Sequence, residues 1–362
     1  MFNVSSIFLP FLVAFIATTL FTPVAIYFFK KLKIVDDPKR KHPGIIHKIP
    51  IPRGGGIPLF LGVLVASIIF LPLTNTVILV LLAAGIALIA GILDDKYDIS
   101  PYKRFLINIL CAVIVVSAGI SVPYITNPLG GILHLNEIFL PFDVLGIQGK
   151  IVLSDLIAVI WIIWVMNMLN WSKGVDGQMP GIVAISAIVI GILSLRFPLN
   201  DEASVISASL SFILAGSALG FLIFNFHPAK IFPGYSATAI YLLLSVVSML
   251  SSAKLATAIL VMGVPLADGL FTITRRISTG KSPFWHDKKH LHHLLLSLGL
   301  GQRRIALFYW SLSAILGALS FTLSSKGKLF AIIMVGILVG GAILFLNLLL
   351  RYKNGKNSVQ SS

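Results

Sequence analysis

Acidic residues and cysteine are what this sequence has least of. Asp and Glu number 13 against 28 Lys and Arg, and charged residues of both signs make up 11% of the 362. A soluble chain carries roughly a quarter of its residues as charges, so an aqueous globular class is excluded. The hydrophobic fraction of 57% and the mean hydropathy of +0.97 exclude disorder, which needs few apolar residues and many charges. With a single cysteine, Cys111, no intrachain disulfide and no CxxC metal site can form. Cys111 lies in an apolar run and reads as a small buried or lipid-facing residue. Repeats and low-complexity tracts are absent, and Gly and Pro punctuate segment ends without forming a linker.

What is present is apolar length. Stretches long enough to cross a bilayer cover residues 7–29, 54–72, 76–93, 105–122, 151–170, 180–197, 204–224, 235–250, 255–272, 305–323 and 329–350. The expected fold is therefore an all-α integral membrane protein, a polytopic bundle of about 11 transmembrane helices. One domain is expected over residues 1–350, with a short tail at 351–362. The first stretch is not expected to be a removable signal, because Lys30 and Lys31 follow it and no basic segment precedes it.

Of the 28 Lys and Arg, 23 fall in one alternating set of connections: 30–53, 96–104, 173, 230, 275–304 and 351–356. The other set holds only Lys150, Arg196, Lys254, Lys326 and Lys328. Short cytoplasmic loops carry the excess of Lys and Arg, so the N-terminus is expected outside and the C-terminus and tail inside. The net charge of +15 then gathers on one membrane face and favours anionic solutes or lipid headgroups there. Nucleic acid is not an expected partner, since these residues sit in short loops without an aromatic-interleaved domain.

Each dense polar cluster falls in a connection of the basic set. Asp36-Asp37-Pro38-Lys39-Arg40-Lys41-His42-Pro43 leads to Arg53-Gly54-Gly55-Gly56. This reads either as backbone amides and cations placed for a phosphate or as a basic loop with a flexible helix start. Asp94-Asp95-Lys96-Tyr97-Asp98, followed by Lys103 and Arg104, sets three carboxylates at a membrane boundary. Such carboxylates hold a cation, act as a base, or form a hydrated loop balanced by lysines. Asn167 and Asn170 share a helix face before Trp171, Lys173 and Gly174-Val175-Asp176-Gly177, and read as a polar ligand pocket. Phe224-Asn225-Phe226-His227-Pro228-Ala229 alone reads as an ordinary turn. Asp268, near the inner end of an apolar span, precedes Arg275, Arg276, Asp287 and His290-Leu291-His292-His293. An intramembrane carboxylate points to function. Three histidines among lysines fit phosphate contact better than zinc, for which no dedicated fourth ligand is at hand.

In chain order, Pro-Arg-Gly-Gly-Gly, Leu-Asp-Asp-x-x-Asp, Asn-x-x-Asn-x-x-x-Gly-x-Asp-Gly, Phe-Asn-x-x-Pro-Ala-x-x-Phe, Pro-x-x-Asp and His-x-His-His resemble the polyprenyl-phosphate N-acetylhexosamine-1-phosphate transferases, glycosyltransferase family 4. The resemblance covers residues 30 to 304, and the stretch from Pro283 to His293 looks like the undecaprenyl-phosphate GlcNAc-1-phosphate transferase branch. It implies transfer of a sugar 1-phosphate, GlcNAc 1-phosphate first, from a UDP-sugar to a polyprenyl phosphate at the inner face of the cytoplasmic membrane. UMP would be released, as the first step of a cell-envelope polysaccharide pathway. It further implies Mg²⁺ and allows a homodimer.

By the same resemblance Asp94, Asp95 and Asp98 are the catalytic set. Arg53, Lys103, Arg104, Asn167, Asn170, Asp176, Arg275, Arg276, His290, His292 and His293 bind substrate, and Asp94, Asp95, Asn170 and Asp268 hold the metal. Two positions depart from the family pattern, Lys173 and Tyr235 standing where it has aspartates. A neutral phenol is a poor ligand for a hard cation. Either other carboxylates carry the metal, or Lys173 replaces part of its charge, or the chain is a non-catalytic member that binds polyprenyl phosphate or UDP-sugar.

Overall fold

The computed structural model describes residues 5–38, 49–127, 130–144, 147–196, 202–250, 252–285 and 287–360. Lys39, Arg40, Lys41 and Lys48 of the basic loop, and the last two residues of the expected tail, lie outside them. The helices are α1 (Ser5–Lys31), α2 (Gly56–Phe70), α3 (Asn75–Tyr97), α4 (Pro101–Ser117), α5 (Leu153–Trp171), α6 (Gln178–Ser194) and α7 (Glu202–Asn225). They continue as α8 (Thr238–Met249), α9 (Ser252–Val261), α10 (Gly263–Ser278), α11 (Leu291–Ser297), α12 (Gln302–Ser320) and α13 (Ser325–Gln360).

Every residue of α8 is buried, which requires apolar side chains all round rather than on one stripe. Helices α2, α3, α5, α6, α7 and α9 pack against it, and α1 packs along α7 and α2. Hydroxyls and indole N–H groups tie helices together where no water reaches. The Thr18 hydroxyl donates to Ser217 Oγ at 3.0 Å, Ser217 donates to the Leu59 carbonyl at 2.8 Å, and Trp161 Nε1 donates to Ser248 Oγ at 2.9 Å. The outward faces stay apolar, with Leu20 66% and Phe345 61% exposed, a surface that suits hydrocarbon rather than water.

The molecule is mostly helical. Among the described residues, five helices are long and apolar enough to cross a membrane, or six if a bent pair counts as one. That pair is the expected span 255–272, which is not one helix. Leu255–Val261 and Gly263–Ser278 meet at Met262 with a 79° bend. Gly263 and Pro265 follow the break, and proline lacks the N–H that would continue the ladder. Hydropathy alone sees only a continuous apolar run.

Short strands, not expected from the sequence, accompany the helices. Three antiparallel strand pairs occur: β1 (Val35–Asp36) with β2 (Ile51–Pro52), β3 (Tyr124–Thr126) with β4 (Ile132–His134), and β5 (Phe139–Val144) with β6 (Ile147–Val152). The last two pairs lie between α4 and α5. At the other end of the chain α13 runs through Gln360, so no helix end marks the expected boundary at residue 351. Cys111 is buried, as its apolar setting suggested.

Candidate active site

At one end of the bundle, the connections before α2, α4, α6, α8 and α11 converge on a pocket of about 200 Å³. Arg53, Asp94, Asp98, Arg104, Asn167, Asn170, Arg276, His290, His292 and His293, all expected at the site, line it. Local folding explains their delivery. Pairing of β1 with β2 brings the Arg53 N–H to the Ile34 carbonyl at 3.0 Å, which fixes the arginine at the mouth of α2. Helix α3 ends in the left-handed residue Asp98, and Pro101 opens α4. That short turn sets Arg104 Nη1 at 3.2 and 3.3 Å from the two oxygens of Asp94.

Three expected site carboxylates turn away from the pocket and bind backbone. Asp95 is buried and accepts the Tyr235 N–H at 2.8 Å and the Ser236 N–H at 3.2 Å, with Arg53 Nη2 at 3.3 Å. It therefore fastens the turn before α8 instead of presenting a free edge to substrate. Gly56 and Gly91 close the same turn from either side, because a Cβ on either would collide with the Ser236 backbone. The glycine triplet thus serves packing: the Gly55 N–H donates to the Phe232 carbonyl at 3.0 Å and the Gly56 N–H to the Pro233 carbonyl at 3.1 Å, not to a phosphate. Asp176 accepts the Ala229 N–H at 3.1 Å and lies 2.7 Å from His227 Nδ1, holding the connection after α7.

Asp268 accepts the Leu291 N–H at 3.3 Å and faces His290 Nδ1 at 3.2 Å. That contact places the proton of His290 on Nδ1 and turns Nε2 toward Arg276 Nη2 at 3.5 Å. Arg276 donates to the Pro283 carbonyl at 2.7 Å and, with Arg275, clasps Asp287. Burial alone would raise the Asp287 carboxyl, but Arg276, the Lys289 N–H and Arg275 more than reverse this and hold it below the usual carboxylate range. His292 and His293 are kept neutral chiefly by burial, His293 being pushed down to about 4. His292 Nδ1 and Asn170 Oδ1 are buried and find no hydrogen-bond partner among the described residues. Each is a group for a ligand to satisfy.

Lys173 and Tyr235 line the same pocket. Lys173 Nζ lies 5.7 Å and Arg104 Cζ 4.9 Å from the Tyr235 ring centroid, both in cation–π range. The Tyr235 hydroxyl accepts from Asn108 Nδ2 at 3.2 Å. Burial lowers the Lys173 ammonium to about 7, the Arg53 and Arg104 charges pushing the same way and Asp95 and Asp94 opposing. An anionic ligand beside it would raise it again.

Mg²⁺ requires about six oxygen donors in near-octahedral array. The four expected ligands do not supply that set. Asp94 is held by Arg104, Asp95 by Arg53 and two N–H groups, and Asp268 by His290 and Leu291, which leaves Asn170 Oδ1. The other carboxylates lining the pocket, Asp36, Asp98 and Asp287, have partners too. Among the described residues no group of three His, Cys, Asp or Glu is placed to hold a metal ion. The residues present do not fit the expected metal.

Of the remaining expected contacts, Lys103 is exposed outside the pocket and Arg275 reaches Asp287 from beyond its wall. The pocket also takes in Asp36, Trp171, Phe284, Trp285 and Asp287, to which no binding role was given. Only Asp287 had a usable signal, its place between Pro283 and His290.

The model of glycosyl transferase family 4 matches residues 77–265, just over half of the chain. The "Probable undecaprenyl-phosphate N-acetylglucosaminyl 1-phosphate transferase" of Bacillus subtilis is 31% identical over 91% of this chain and 88% of its own length. The undecaprenyl-phosphate alpha-N-acetylglucosaminyl 1-phosphate transferase of Haemophilus influenzae is 31% identical over 94% and 91%. The decaprenyl-phosphate N-acetylglucosaminephosphotransferase of Mycobacterium leprae is 30% identical over 85% and 83%.

Proposed function

The chain belongs to glycosyl transferase family 4, and from that premise we propose that it transfers N-acetylglucosamine 1-phosphate from UDP-GlcNAc to a polyprenyl phosphate, releasing UMP. The observation that carries this reading is the convergence of five polar clusters, from Arg53 to His293, on one polar pocket at one end of an apolar bundle. The 23 Lys and Arg of the basic set support a cytoplasmic position for that end, within a single domain of eleven spans in the cytoplasmic membrane.

An oxygen of the lipid phosphate attacks the sugar-bearing phosphorus of the donor. The bond from that phosphorus to the bridging oxygen breaks, and UMP leaves with the oxygen. A phosphate monoester is largely dianionic at neutral pH, so the acceptor needs little help from a base. What the reaction needs is screening, since donor and acceptor together bring nearly four negative charges. Arg53, Arg104, Lys173 and Arg276 face the pocket to provide it. Asp94 aligns Arg104 for the acceptor phosphate and is the carboxylate placed to take a proton from a monoprotonated one. Asp268 orients His290 toward the diphosphate, and Asn170 and His292 offer unpaired polar atoms to the donor.

The prenyl chain has a seat as well. A second cavity of about 350 Å³ is lined by Trp161, Trp164, Leu266, Leu270 and Val335, between α5, α10 and α13. On α5, Trp164 precedes Asn170 by six residues, which places the apolar cavity roughly 9 Å along the helix from the polar pocket. A lipid phosphate can thus sit among the cations with its chain alongside in hydrocarbon. The test is product analysis with the purified chain, undecaprenyl phosphate and UDP-GlcNAc. UMP is the expected nucleotide, and UDP would mean transfer of the sugar alone and refute the reading.

A further inference from the structure

Three basic side chains gather on one wall of the pocket. Arg53, Arg104 and Lys173 line it close to one another, each near the Asp94 carboxylate. Asp94 and Asp95 are already paired to arginine, and Asp95 is further consumed by two backbone N–H groups. A divalent cation entering beside Lys173 would meet this basic wall, with both of these carboxylates already engaged. Lys173 and Tyr235, the two departures from the family pattern, are neighbours, and the ring of one is a seat for the ammonium of the other. Arg104 shares that ring, so the two substitutions form one cationic wall with it.

We propose that Lys173, set beside Arg53 and Arg104 and backed by Tyr235, takes the place of a divalent cation, so that this chain holds the donor pyrophosphate without metal. This rests on the transferase reading and deepens it. An ammonium offers three donors to phosphate oxygens and, unlike a bound metal, cannot be removed by a chelator.

The experiment titrates UDP-GlcNAc into the full-length chain in detergent, in EDTA and in excess Mg²⁺, and follows Mn²⁺ binding separately by electron paramagnetic resonance. The affinities in the two buffers should agree within about two-fold, and Mn²⁺ should stay free. Lys173→Met should weaken donor binding about ten-fold or more, and Lys173→Arg should restore most of it, which separates lost charge from a misfolded variant. The pair Lys173→Asp with Tyr235→Asp should bind Mn²⁺ and make donor binding metal-dependent. Donor binding by the unaltered chain that needs Mg²⁺ would overturn this inference and leave the transferase reading standing. Full affinity in Lys173→Met would overturn it equally. No donor binding in either buffer would overturn both.

Discussion

Replacing Asp95 by asparagine separates a carboxylate that holds the fold from one that meets substrate. In the native chain its two oxygens accept the N–H groups of Tyr235 and Ser236, at 2.8 and 3.2 Å. Asparagine keeps one acceptor and turns an amide donor toward the other N–H. One buried N–H is then left unpaired, at a cost of about 1–3 kcal/mol. Asp95→Ala orphans both groups and should cost about 2–6 kcal/mol by the same reasoning. Arg53, 13% exposed, can rehydrate and adds little. Asp94→Asn is the contrast. Arg104, 18% exposed and the side chain that pairs with Asp94 among the described residues, keeps an acceptor, so the change should cost less than the orphaned N–H at Asp95. Thermal unfolding in detergent, beside UMP release, reads both effects. Asp95→Asn should unfold at clearly lower temperature, while Asp94→Asn should keep its midpoint and lose turnover. An Asp95→Asn chain with native stability and no UMP release would refute the reasoning, because it would put a free carboxylate at the reacting phosphates.

Three further outcomes follow from the geometry. Asp268→Ala removes the acceptor that orients His290, and should lower the maximal rate of UMP release about ten-fold or more with a smaller effect on donor affinity; equal rates would show that His290 is oriented by other contacts. Gly91→Ala drives a methyl into the Ser236 backbone and should destabilise by about 1–3 kcal/mol, and an unchanged unfolding midpoint would contradict the close packing of that turn. Asp287, its folded pKa held below the unfolded value of 3.8, contributes stability that is present above that value and lost as pH falls through the folded one. Asp287→Asn should therefore flatten the acid limb of the stability profile, and a limb of unchanged slope would show that the clasp with Arg275 and Arg276 adds nothing.

Much of the site was legible because charge in an apolar chain is rare. Arg53, Arg104, Asn170 and His290 stand out against their surroundings and all reach the pocket. Most of them fall in or beside one alternating set of basic connections, which already pointed to a common end of the bundle. What could not be read was the direction in which a carboxylate turns. Asp95, Asp176 and Asp268 bind N–H groups 140, 53 and 23 residues away, and those partners carry no side-chain signature. A carboxylate that caps a remote turn and one that meets a ligand look alike in sequence. The glycine triplet left two readings open for a related reason, since a close approach of backbone to backbone and of backbone to phosphate both require glycine. The bend at Met262 was hidden because both arms are equally apolar.

The apolar cavity between α5, α10 and α13 reaches the outer surface of the bundle, where Leu270 stays 61% exposed. On the proposed function, the two substrates would therefore be counted in different units. The nucleotide sugar arrives by diffusion in three dimensions and its supply is a concentration. The prenyl phosphate slides in along the plane of the bilayer and its supply is a surface density. Adding detergent or inert lipid at fixed total acceptor would thin that density and slow turnover, while leaving the dependence on nucleotide sugar untouched.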